Sequence, residues 1–111
     1  MRGRLAFLGG MNRLMDKISK EEYEEKSSLL KVMSNPIRLC ILHKLLEKGE
    51  CNVSYLTECL CASQSTISQH LGKMRDMGIV SVKYEGTFSN YKLNNKMIKD
   101  VLLTIFKDEK K

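Results

Sequence analysis

Ser63-Gln64-Ser65-Thr66-Ile67-Ser68-Gln69-His70-Leu71 is the stretch that decides the reading of this chain. Ser63 suits the position before a helix, because its hydroxyl accepts from an amide of the first turn that lacks an intrahelical partner. Ile67, Leu71, Met74 and Met77 recur at helical spacing and predict one apolar stripe. The other face carries Gln64, Ser65, Ser68, Gln69, Lys73 and Arg75. It is rich in amides and hydroxyls and nearly free of acids. Gln pairs bidentately with adenine in the major groove, Ser reaches base edges or phosphate, and Lys and Arg neutralise phosphates. A helix face that is merely solvated more often alternates Glu with Lys. The composition favours nucleic acid over plain solvent as the neighbour of this face.

The preceding segment has the same character. Asn52 is placed to cap a short helix whose apolar positions are Val53, Leu56 and Leu60. Cys61 and Ala62 leave only a tight turn before Ser63. Two short amphipathic helices so joined form a helix-turn-helix. Gly78 then suits a left-handed residue that ends the second helix. Ile79 to Tyr84 and Phe88 to Leu93 are rich in β-branched and aromatic residues and bracket Glu85-Gly86-Thr87, so they predict a hairpin. The expected fold is mainly α with a small β-hairpin wing: a winged helix-turn-helix of about five helices.

Three motifs together make the pattern specific. They are Asn35-Pro36-Ile37-Arg38-Leu39, the spaced Ser63, Gln64, Ser65, Ser68 and Leu71, and Gly78-Ile79-Val80 at the entry to the wing. Residues 29 to 93 carrying these motifs resemble the ArsR/SmtB family of bacterial transcriptional repressors. The resemblance implies a homodimer on an inverted-repeat double-stranded operator, with the first and last helices pairing between subunits. It maps Val53, Gln64, Ser65, Ser68 and Gln69 onto the family's DNA-contact positions. Lys73, Lys83 and Lys92 are expected at phosphates.

Bulk properties agree with that class. The chain has 111 residues, the size of one domain, and a core this small gains from dimerisation. Its net charge of +6 favours a polyanionic partner. No apolar run approaches the roughly 18 residues of a membrane span, and the apolar run near the start is too short for a signal peptide. A cytoplasmic protein is expected, whose four cysteines stay largely reduced. Nothing in the sequence calls for a cofactor. Neither a nucleophile–base pairing nor a phosphate-cradling glycine loop is evident, so an enzyme is not expected.

Residues 1–18 are expected to form an arm or short helix, and residues 19–111 the DNA-binding and dimerisation domain. Ser19-Lys20-Glu21-Glu22 reads as a capping box, opening a helix that runs to about Ser34 with Leu29, Leu30 and Met33 as its apolar residues. Asn35-Pro36 ends it and starts the next, whose stripe is Leu39, Leu42, Leu45 and Leu46, with Gly49 at its end. Asn94 or Asn95 caps a last helix carrying Met97, Ile98, Val101, Leu102, Ile105 and Phe106. That stripe is wide for a terminal helix. With the pairing of last helices that the resemblance implies, Met97, Val101, Leu102, Ile105 and Phe106 are expected at a dimer interface, against the simpler alternative that they pack on their own core.

Family members commonly release DNA on binding a metal ion or a thiol-reactive species. The family's cysteine-rich metal site reads E-L-C-V-C-D-L. Here the run is Glu50-Cys51-Asn52-Val53-Ser54-Tyr55-Leu56, so the ligand positions fall on Asn52 and Ser54. The last helix has no His for the other common site, and no metal site is expected. His43 stands where some sulfur-sensing relatives place a cysteine, and it is expected to be an ordinary helix residue. His70 is expected to be structural or to touch the DNA backbone. Cys40 reads as a small buried hydrophobe. Cys51, just before a helix start, and Cys59 and Cys61, flanking the turn into the recognition helix, are the candidate sensor thiols. A redox or sulfur-species switch is the leading expectation for the effector. A thiolate site for arsenite, cadmium or zinc, and an interaction module that binds no DNA, stand as alternatives.

Overall fold

The computed structural model describes residues 18–107. The expected arm over residues 1–18, apart from Ile18, and the last four residues of the charged tail lie outside them. The chain divides into two compact units, Met1–Val32 and Met33–Lys111.

The first unit contributes most of helix α1, Lys20–Met33. Ser19 Oγ accepts the Glu22 N–H at 3.1 Å, the first half of the expected capping box. The Glu22 carboxylate turns the other way, to Lys26 at 3.7 Å. Glu21 and Glu22 in the first turn suit the helix dipole. The buried stripe is Leu29, Val32 and Met33, whereas Leu30, expected on it, is exposed.

In the second unit, α2 spans Pro36–Lys48. Asn35 Oδ1 accepts the Arg38 N–H, and Pro36 occupies the first turn, where its missing N–H costs nothing. Ile41, Leu42 and Leu45 are its buried residues, while Leu39 and Leu46 are only half-buried. Gly49 closes the helix at φ +89, a conformation that favours glycine. The two-residue strand β1, Cys51–Asn52, follows, then α3, Val53–Leu60, and α4, Gln64–Asp76. The wing is β2, Val80–Glu85, and β3, Phe88–Leu93. A last helix, α5, covers Lys96–Ile105, with Asn95 rather than Asn94 as its cap.

The sheet is antiparallel in the order β1-β3-β2. The sequence reading has only the β2–β3 hairpin. Strand β1 is too short to show an alternating pattern, and its pairing of Cys51 with Tyr91 comes from tertiary structure. The core of this unit draws one or more side chains from each of its helices and from β2: Leu42, Leu45, Leu56, Ile67, Leu71, Met74, Ile79, Val80, Ile98 and Leu102 are all essentially inaccessible.

The end of α4 is fixed by its backbone. Gly78 N–H donates to Arg75 O and Ile79 N–H to Met74 O, both at 2.9 Å, with Gly78 at φ +77. This is a Schellman motif, and the buried pair Met74 and Ile79 supplies its apolar contact. Met77, expected on the stripe, lies at the cap and is exposed. Because the helix stops there, its side chain is released from the buried face.

Candidate nucleic-acid interface

The placement of α4 starts at the turn before it. Cys61 caps α3 in the left-handed region, at φ 52 and ψ 40, and is the one described non-glycine residue with positive φ. That conformation costs an L-residue about 1–2 kcal/mol relative to the right-handed one. It lets the chain leave α3 and enter α4 across only three residues. Ser63 Oγ then accepts the Thr66 N–H at 3.1 Å, and the Ser63 hydroxyl donates to Thr66 Oγ1 at 2.9 Å. With Ile67, Leu71 and Met74 inaccessible on the inner side, Gln64, Ser65, Ser68 and Gln69 are left exposed. No acid stands in the first turn of α4, and Lys73 and Arg75 stand in its last. Val53, at the start of α3, is half-buried, and Lys73 is exposed.

The wing adds charge less simply. Lys83, Glu85, Phe88 and Asn90 share one face of the hairpin, because Lys83 pairs with Asn90 and Glu85 with Phe88. Lys83 Nζ lies 3.6 Å from Glu85 Oε2, and Asn90 Nδ2 donates to Glu85 Oε1 at 2.7 Å. Lys83, expected at a phosphate, thus has a carboxylate beside it. Lys92 is exposed on the same strand as Asn90. Gly86 starts the two-residue loop at φ +62, as a tight hairpin requires.

One contact across the motif has no counterpart in the sequence reading. The guanidinium Nη1 of Arg38, from the first turn of α2, lies 3.5 Å from Nδ1 of His70 on α4. Burial first, then Arg38 and Lys73, hold the His70 imidazole below the usual histidine range. Residues 32 positions apart on two helices give no periodic signal.

The candidate thiols fall into different surroundings. Cys51 is buried, its partner across the sheet being Tyr91, and its Sγ donates to Lys44 O at 3.8 Å. Burial first, and then Cys59, push its thiol up, against the opposing pull of Lys48 and Lys44. At Cys51 desolvation therefore outweighs the pull of the two lysines. Cys59 is exposed on α3. Its hydrogen bond to the Tyr55 phenol, more than desolvation, pushes that phenol up to about 12. Cys61 is exposed, with Sγ 3.9 Å from Glu58 O, and Cys40 is half-buried. Among the described residues no three His, Cys, Asp or Glu side chains converge to hold a metal ion.

Helix α5 packs on α2 within this unit, where His43 stacks on Phe106 with ring centroids 3.9 Å apart and planes 10° from parallel. His43 is thus a packing residue between helices. Leu102 is inaccessible and has no surface to offer a second subunit, a correction to its expected place at a dimer contact. Met97, Val101 and Phe106 are half-buried, and Leu103 and Ile105 are 51% and 54% exposed. No described helix is long and apolar enough to cross a membrane.

Comparison with known proteins places these features in a family. The profile described as bacterial regulatory protein, arsR family, matches residues 35–82. The transcriptional repressor PagR of Bacillus anthracis is 34% identical over 86 residues, which cover 78% of this chain and 86% of PagR. The arsenical resistance operon repressor of Bacillus subtilis is 30% identical over 88 residues, 79% of this chain and 84% of the repressor. Among solved structures, HlyU from Vibrio cholerae superposes with a TM-score of 0.76 at 32% identity, covering 80% of this chain and 96% of HlyU.

The wing geometry gives the first testable outcome. Glu85→Gln removes the carboxylate beside Lys83 and should raise affinity for any duplex about two- to fivefold, with a steeper salt dependence. Lys83→Ala should weaken all sequences alike and lower the slope of log affinity against log salt by about one. Fluorescence anisotropy at four or more salt concentrations measures both. Two variants indistinguishable from wild type would remove this wing face from the interface.

Proposed function

The chain belongs to the ArsR family of bacterial regulatory proteins, and from that membership we propose how this DNA-binding transcriptional repressor works. It acts as a homodimer on an inverted-repeat operator. Each α4 lies in a major groove and each wing reaches the flanking backbone. The observation that carries this reading is the outer face of α4, where Gln64, Ser65, Ser68 and Gln69 are exposed while the opposite stripe is fully buried. Gln64 and Ser68 read bases. Val53, Ser65 and Gln69 supply further contacts, and Lys73, Lys83 and Lys92 meet phosphates. Its relatives are transcriptional regulators rather than enzymes. No catalytic step enters this reading.

The test is a comparison of two duplexes. One is selected by the protein from a random pool, and the other has the same composition scrambled. Gln64→Ala should cost about 1–3 kcal/mol on the selected duplex and much less on the scrambled one. Equal losses would reduce Gln64 to a positioning contact. A wild-type protein that binds neither duplex would favour an interaction module instead.

Dimerisation is assigned to the exposed edge of α5. Ile105 and Leu103 leave apolar surface uncovered at the end of the chain's last helix. Ile105→Asp places a charge on that surface without disturbing the buried Ile98 and Leu102. Sedimentation should find a folded monomer with operator affinity lowered at least about tenfold, because two linked half-sites become one. An intact dimer would move the interface elsewhere.

The effector is proposed to be a thiol-reactive species acting at Cys59 or Cys61. Both are exposed at or beside the turn that leads into α4, and Cys61 holds the left-handed conformation of that turn. Peroxide should weaken operator binding by wild type severalfold and leave a Cys59→Ser, Cys61→Ser double variant unaffected. If the double variant responds as wild type does, the switch lies at another thiol. If wild type is unaffected by peroxide and releases DNA on adding arsenite, cadmium or zinc, the inducer is a metal.

A further inference from the structure

We propose that His70 contacts the DNA backbone as a neutral hydrogen-bond donor, its Nε2–H tautomer held by the Arg38 guanidinium, so that Arg38 is a positioning residue for the recognition helix. The proposal rests on the reading of α4 as the element that enters the groove. It adds a residue pair and a specific atom to that reading.

The argument starts from what each group is able to do. A guanidinium only donates hydrogen bonds. The Arg38 Nη1 to His70 Nδ1 contact at 3.5 Å therefore requires Nδ1 to offer its lone pair. A neutral imidazole with a bare Nδ1 carries its single proton on Nε2, on the other side of the ring. The doubly protonated ring would present an N–H, and a positive charge, to the donor face of the guanidinium, with the Lys73 cation also acting on the ring. Its lowered basicity agrees with a ring that stays neutral at neutral pH.

Placement then assigns the outward proton a target. Arg38 is anchored at its own backbone, because its N–H is bound by the Asn35 cap at 3.0 Å. The sequence Asn35-Pro36-Ile37-Arg38 thus fixes where the guanidinium begins. His70 is half-buried, and Lys73 lies three residues further on, on the same flank of α4. That flank borders the base-reading face, at the position where a recognition helix passes the phosphates of one strand. A histidine held in one tautomer by a partner behind it is a preorganised donor, in the way that a carboxylate orients a metal-binding histidine.

An uncharged contact has a signature that a charged one lacks. It contributes affinity without releasing a counterion, so its loss leaves the salt slope intact. Anisotropy titrations would use wild type, His70→Leu, His70→Gln and Arg38→Met, on the selected and scrambled duplexes, across a salt series. His70→Leu should lose about tenfold on both duplexes with an unchanged slope, the size of a hydrogen bond to a charged group. His70→Gln should stay within about twofold of wild type, because its carbonyl accepts from Arg38 while its amide donates outward. Arg38→Met should lose severalfold with an unchanged slope, and the double variant with His70→Leu should lose little more than His70→Leu alone. Wild-type affinity in His70→Leu would overturn the proposal. So would a loss in His70→Gln as large as in His70→Leu, which would make the ring a space filler. So would a slope reduced by about one, which would make His70 a cation. Should thermal melts find His70→Leu unfolded, Arg38→Met decides alone, and wild-type affinity in that variant overturns the proposal. Loss of discrimination between the duplexes by the wild type itself would instead count against base reading by α4.

Discussion

Complete burial of Ile67, Leu71 and Met74 sets the rotation of α4 about its own axis, and that rotation decides which side chains α4 presents outward. Each such side chain contributes about 1.5–3 kcal/mol when taken fully out of water. Turning the helix by one residue's angle would expose all three, at a cost of roughly 5–9 kcal/mol by the same scale. That is comparable to the whole stability of a small domain. The polar face therefore has a single orientation. Its axial position is fixed as well, by the Ser63 cap at one end and by the Schellman motif through Gly78 and Ile79 at the other. A helix pinned in rotation and at both ends delivers amides and hydroxyls to the same place each time. Coupled base and phosphate contacts need that reproducibility.

The charge pattern around this helix is moderated. A net charge of +6 attracts a polyanion, but Lys83 is offset by Glu85, and Glu85 is itself held by Asn90. In the proposed complex, a wing lysine partly neutralised in this way would add less to non-specific binding. In a repressor that limits the time spent on competing sites. Arg38 and His70 act in the same direction. The guanidinium is directed at an imidazole rather than displayed as a free cation, and the proposed contact to DNA is neutral. Affinity on this flank would then depend on geometry more than on charge.

Much of this was legible in the sequence because the signals are local. The caps Asn35, Asn52, Ser63 and Asn95 each accept the backbone N–H three residues on, a relation contained within four residues of chain. The stripes of α4 and α5 follow from spacing alone. What escaped the reading depends on tertiary structure. Strand β1 exists because β3 passes beside Cys51 and Asn52. Leu102 looked available for a partner, yet its place against α2 buries it, while Leu103 and Ile105 keep the outer edge. Val32 replaces Leu30 in the α1 stripe, and Met77 leaves the α4 stripe because the helix has ended. The Arg38–His70 contact joins separate helices. The left-handed Cys61 was also hidden, since cysteine carries no preference for that conformation.

The central claim is that the outer face of α4, with the wing beside it, is the surface that meets DNA. It is tested most directly by recording amide chemical shifts of the isotope-labelled protein during titration with its selected duplex. The account predicts that the largest changes fall on residues 63–73, with a second cluster on residues 83–92, while the buried stripe of α4 and the inner positions of α5 change little. A perturbation centred on α5, or one absent from residues 63–73, would contradict it.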